Sequence, residues 1–168
     1  MAGAALVSFG AVVFAAGGIG APGSAAAQPA ERDTAVPFVR TVVRLIAENR
    51  YAAAWPLLHP AHRRAAGRSE YVACERRSPI PGRVLSVRAG AEFDAAVALA
   101  PGLRVESRAV RISVVLLDLA TLERTEVHDT VNAVRVDGRW TWVLPPDRVA
   151  RYRAGACPDA PPSLPGQS

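Results

Sequence analysis

From Thr34 onward the apolar positions recur first at helical and then at strand spacing. Phe38, Val42, Leu45 and Ile46 fall on one side of a helix, with Arg40, Arg44 and Glu48 largely on the other. Thr34 can cap this helix, and Pro37 sits in its first turn, where a missing N–H costs nothing. Asn49 can end it and cap a second helix over residues 50–58, whose buried stripe is Tyr51, Trp55 and Leu58. Pro56 and Pro60 bend or stop that helix. A third, over residues 69–77, carries Tyr71, Val72 and Cys74.

Beyond Pro79 and Pro81 the period changes to two, which predicts strands. The first covers residues 83–89 and continues irregularly through 93–99, and Pro101-Gly102 marks a turn. A long strand over 105–117 puts Val110, Ile112, Val114 and Leu116 on one face, and another covers 124–136. Asp137-Gly138 is the strongest local signal, a two-residue hairpin turn of the primed type. It pairs Val136 with Arg139, Arg135 with Trp140, Ala133 with Trp142 and Val131 with Leu144. One face then carries Val127, Asp129, Val131, Ala133, Trp140, Trp142 and Leu144. The other carries His128, Thr130, Asn132, Val134 and Val136. A short helix over 147–153 leads to Cys157.

The ends change the picture from a bare domain to an exported one. Residues 1–27 contain no charged side chain; Leu6 to Ala16 is apolar, and Ala25-Ala26-Ala27 offers the small-x-small pattern of a signal peptidase site. No Lys or Arg follows Met1, where a positive segment belongs; a start codon placed too far downstream would explain that, as would an unusual leader. The apolar run is too short and glycine-rich to span about 30 Å of bilayer. The expected organisation is a signal peptide over 1–27, a polar spacer over 28–33, one domain over 34–157 and a disordered Pro-rich tail over 158–168. The expected location is therefore secreted or extracytoplasmic. All 20 basic side chains are arginine, and the formal net charge is +5. With the abundance of Ala, Val, Pro and Gly, that composition fits a GC-rich bacterial genome. The two cysteines, Cys74 and Cys157, are expected to form a disulfide in an exported chain.

A helix pair and a short third helix followed by a bent antiparallel sheet ending in VRVDGRWTWVLP, with YAAAWPLLHPAHR as a helix ending at the mouth of the cone, resemble the nuclear transport factor 2-like superfamily, especially its small secreted bacterial members. The resemblance covers roughly residues 34–153. It implies an α+β fold in which N-terminal helices pack in a strongly curved antiparallel sheet, a cone-shaped roll with a cavity. Its motifs are fold motifs and transfer no catalytic residue, because members use the cavity as an enzyme site, a ligand pocket or merely a core.

Candidate chemistry is sparse. Asp129 lies on an otherwise apolar face, where burial raises a carboxyl pKa towards general-base range. The resemblance makes this pertinent, since isomerases and cyclases of the fold use cavity acids. Such an enzyme also needs a polarising partner, for which Tyr51 or Tyr71 would have to reach the cavity. A strand-edge acid, or one paired with an arginine, is the simpler account and the expected one. His59 and His62 are three apart but lack a third ligand, so no metal site is expected, and no cofactor is implied. Arg63, Arg64, Arg68, Arg76 and Arg77 form a basic cluster, read as a solvated face or a contact for anionic cell-surface polymers. A nucleic-acid partner is not expected of an exported chain, nor a transmembrane anchor after cleavage.

The reading this supports is a non-catalytic domain binding a small apolar ligand or a protein partner. Tyr51, Trp55, Asp129 and Trp142 are its expected ligand-site residues. An isomerase- or cyclase-type enzyme using Asp129 and an envelope module using the arginines are its rivals.

Overall fold

The computed structural model describes residues 34–158, which belong to one compact unit. The expected leader, spacer and all of the tail beyond Pro158 lie outside the described residues. Helix α1 (Val36–Ala47) buries Val39, Val42, Val43 and Ala47, with Phe38 and Ile46 half-covered beside them. Its start is fastened to the sheet. Thr34 Oγ1 accepts from the Val36 N–H at 3.2 Å and donates to Glu92 Oε2 at 2.5 Å, an oxygen that also takes the Ala35 N–H at 2.9 Å. A carboxylate there meets the positive end of the helix dipole.

Asn49 does end α1, in the left-handed region at φ 57°, but it does not cap the next helix. Its amide instead brackets the Ile80 backbone, accepting from the N–H at 2.8 Å and donating to the carbonyl at 3.0 Å. Helix α2 (Tyr51–Ala54) is shorter than expected and tightens into a 3-10 turn at Trp55–Leu57, where Pro56 has no N–H for the helical ladder. Pro60, expected to stop a helix, begins one. It occupies the first position of α3 (Pro60–Ala65), where its missing N–H is harmless, and His59 Nδ1 accepts from the Ala61 N–H at 3.2 Å. Helix α4 (Arg68–Glu75) follows.

Strands β1 (Arg83–Ala100), β2 (Leu103–Leu117), β3 (Arg124–Val136) and β4 (Arg139–Trp142) form an antiparallel sheet in the order β1-β2-β3-β4. The irregular stretch expected near Phe93 is the middle of one long strand. Register shifts at Val84/Ser86, Ala89/Glu92 and Ala98/Ala100 interrupt its pairing, and such bulges bend a strand and sharpen its twist. The sheet is strongly curved, and the fold is α+β as expected. α1 packs along its concave side, where Val39, Val43 and Ala47 meet Val87, Val110, Ile112, Val114 and Ala133.

At the closing hairpin Val136 pairs with Arg139, Arg135 with Trp140 and Ala133 with Trp142, as the turn predicts. The fourth expected pair, Val131 with Leu144, does not form. The Trp142 carbonyl accepts from the His59 N–H at 2.7 Å, the Leu144 N–H donates to His62 Nδ1 at 3.0 Å, and Pro145 has no N–H to offer. These bonds draw the chain away from β3 into helix α5 (Pro146–Arg153). Among the described residues, 124–132 of β3 are thereby left without a strand on that side.

Candidate functional site

Where Val143 to Pro146 leave β3, a cavity of about 230 Å³ opens between the strand edge, α1 and the α4–α5 junction. Val42, Val43 and Ile46 of α1, Ile112 and Val131 of the sheet, and Trp142 and Leu144 supply apolar walls. Tyr71 and Glu75 of α4 with Arg148 of α5 make a polar end. Thr130, which is exposed, and Asn132, which is half-buried, border the mouth. They were expected on a solvated outer face, and the register that puts them there is correct. They reach the cavity because it opens around the free edge of β3 rather than beneath the sheet.

The polar end is built from groups far apart in sequence. Glu75 is 1% exposed and Arg148 5%, and Arg148 Nη2 bonds both carboxylate oxygens. The Tyr152 hydroxyl donates to Glu75 Oε1 at 2.5 Å. Burial first, and then the Glu75 carboxylate, push the pKa values of Tyr71 and Tyr152 upward, so both stay protonated. Beside this junction the Cys74–Cys157 disulfide is present, with Cα atoms 5.2 Å apart.

Of the four expected ligand-site residues, Trp142 alone lines the cavity. Its indole N–H donates to the Ala54 carbonyl at 3.2 Å, which leaves the ring as a wall. Tyr51 is buried in the helical core and donates its hydroxyl to Asn49 Oδ1 at 2.5 Å. Trp55 lies over that core under the Arg63 guanidinium, 5.6 Å from the ring centre, with its N–H on the Ala66 carbonyl. Asp129 sits on the concave face opposite Ile112 and outside the cavity lining. One carboxylate oxygen accepts from the Thr130 N–H, and the other has no partner among the described residues. The expected arginine partner of Asp129 is therefore missing among the described residues, and burial pushes its pKa up to about 7. An inward-facing acid on an exposed strand edge hinders edge-to-edge pairing with another chain.

His62 is fully buried. Its Nδ1 accepts from the Leu144 N–H and its Nε2 lies 3.2 Å from the Leu99 carbonyl, an arrangement suited to a neutral ring with the proton on Nε2. Burial lowers its pKa to about 4. Of the basic cluster, Arg64, Arg68, Arg76 and Arg77 are exposed. The charge is unevenly shared among described residues. Segments 34–82 and 143–158 hold eleven arginines and four carboxylates, a net of +7; residues 83–142 hold eight of each.

Glu75 and Arg148 were missed as site residues, and Tyr71 entered the sequence reading only as a polarising partner for Asp129. A signal for Glu75 exists: it follows Tyr71 by four residues and so shares its helix face. The adjacent Arg76-Arg77 makes it read as a surface charge instead. Arg148 carried no such signal.

These features define a small α+β domain with a curved sheet and an apolar pocket with a polar end. No family model matches the chain, and no curated protein does. Among the described residues no helix is long and apolar enough to cross a membrane.

Proposed function

We propose that this chain is an exported, non-catalytic binding domain of the nuclear transport factor 2-like type, which holds a small, mainly apolar molecule in the cavity at the β3 edge. The observation that carries this reading is the cavity itself. Its walls are mainly apolar side chains, and its volume lies between the roughly 150 Å³ that holds benzene and the roughly 300 Å³ where drug-sized pockets begin. The disulfide between α4 and the segment after α5 is the kind of link that persists outside the cytoplasm, which supports export. Cumene, a benzene-sized hydrocarbon with a short branch, tests the reading. It should raise the thermal midpoint of the protein by mass action, and Ile46→Trp, which fills the cavity from α1, should abolish the rise. No shift in the parent protein at millimolar cumene would refute it.

A second reading rests on the charge distribution. A helical layer of net +7 set against a neutral sheet suits contact with an anionic envelope polymer. Binding to heparin, as a soluble anionic stand-in, should then fall steeply with salt. It should also weaken in an Arg64→Gln, Arg68→Gln, Arg76→Gln, Arg77→Gln variant. A variant that bound as tightly as the parent would dismiss this reading.

A further inference from the structure

Tyr71 combines three properties that no other cavity-lining residue shares among those described. It is 1% exposed, it lines the cavity, and its hydroxyl makes no hydrogen bond to any described residue. Its ring is fixed from two sides, edge-on by Tyr51 at 6.4 Å between centroids and by Tyr152 at 6.0 Å, so packing sets the position of the hydroxyl. Burial and the neighbouring carboxylate keep it protonated, which makes it a standing donor. Of the other buried polar groups of the lining, the Trp142 N–H is engaged by Ala54, and the Glu75 carboxylate by Arg148 and Tyr152. Because Glu75 and Arg148 neutralise each other, that end of the cavity offers no surplus charge to replace the hydration of an ion.

We infer that the cavity selects a neutral molecule with an apolar body and one hydrogen-bond-accepting oxygen, which the Tyr71 hydroxyl engages. This rests on the cavity reading above. It adds the chemical class of the ligand: a small ketone, ester or ether rather than a hydrocarbon or a carboxylate. A bare hydrocarbon fills the walls but leaves the hydroxyl unpaired, which forfeits the selectivity a buried polar group provides.

The test compares acetophenone with cumene, in which a methyl group stands where the carbonyl oxygen was, on the disulfide-intact full-length protein and on Tyr71→Phe. Titration calorimetry should show Tyr71→Phe weakening acetophenone about five-fold while cumene changes by less than about two-fold, the ratio of one net hydrogen bond. The thermal midpoint of unliganded Tyr71→Phe should equal or exceed the parent's, which shows that the loss is not one of folding. Equal changes for both probes, or benzoate bound more tightly than acetophenone, would overturn the inference while cumene binding left the cavity reading intact. Failure of both probes to bind the parent would overturn that reading, and this inference with it.

Discussion

Arg148 on α5 lays one guanidinium nitrogen against both carboxylate oxygens of Glu75 on α4, 73 positions away in sequence and with almost no solvent contact. One residue before Glu75, Cys74 is bonded to Cys157 just past α5, so an ion pair and a covalent bond close the same junction. This junction is the polar end of the cavity, and its integrity decides the shape of the pocket.

Breaking the pair on one side should be far worse than removing it. Arg148→Met strands a buried carboxylate and should cost about 3–5 kcal/mol. Adding Glu75→Leu to that variant should recover more than half of the loss, since an apolar pair of similar volume carries no desolvation penalty. Urea midpoints of the parent, the single and the double variant measure both effects.

The disulfide closes a loop of 83 residues, which on the chain-entropy model stabilises the fold by roughly 4–5 kcal/mol. A Cys74→Ala, Cys157→Ala protein should lose stability in that range. It should also lose cumene-induced stabilisation before it loses its helical signal, because the junction loosens first. Circular dichroism melts with and without cumene follow both.

Asp129 makes a pH-dependent prediction. Its folded pKa of about 7 exceeds the ordinary carboxyl value of about 4. As pH rises from 4 to 7 the unfolded chain ionises while the folded one holds its proton, and stability is lost across that window. Asp129→Asn should match the parent near pH 4 and exceed it at pH 7.5 by about 1–2 kcal/mol, a figure reduced for partial solvation of the carboxyl. Asparagine keeps an oxygen for the Thr130 N–H. A less stable variant at pH 7.5 would mean that the acid has a partner after all.

His62 runs in the opposite direction. Its folded pKa of about 4 lies below the unfolded value of about 6.5. Its contribution is complete above pH 6.5 and is lost as pH falls towards 4. His62→Leu should cost about 1–3 kcal/mol at pH 7.5, by leaving the Leu144 N–H without a partner, while the Leu99 carbonyl keeps its bond from Arg153. The gap should narrow at pH 4.5. Chemical denaturation at the two pH values checks the sign.

Two glycines with positive φ should respond differently to alanine. Gly138, at φ 75°, would place a Cβ in open space, so Gly138→Ala should cost only the backbone term of about 1–2 kcal/mol. At Gly82, φ 83°, the same Cβ would stand 2.4 Å from the Leu117 carbonyl oxygen, and the neighbouring strand must move. Gly82→Ala should be the clearly more destabilised protein in a thermal melt. Equal midpoints would show that β1 and β2 separate easily at that end.

How much of this could be read along the chain depended on range. The alternation over 124–136 and the Asp137-Gly138 turn set the hairpin register, because a strand face and a primed turn are decided by residues two to four apart. Two cysteines allow a single intramolecular bridge, and so that pairing was legible too. Other features needed the tertiary structure. Pro60 begins α3 instead of ending α2 because its neighbour His59 is bonded to Trp142, more than eighty residues away. β4 stops short of its predicted last pair because His62 captures the Leu144 N–H, and that departure opens the cavity. Glu75, beside two arginines on a short helix, becomes a buried acid only when α5 covers it. Asp129 kept its predicted face, yet its lack of an arginine followed from where the other elements stopped. Periodicity records which way a side chain points. What it meets there depends on segments brought together by packing, and no local pattern encodes their approach.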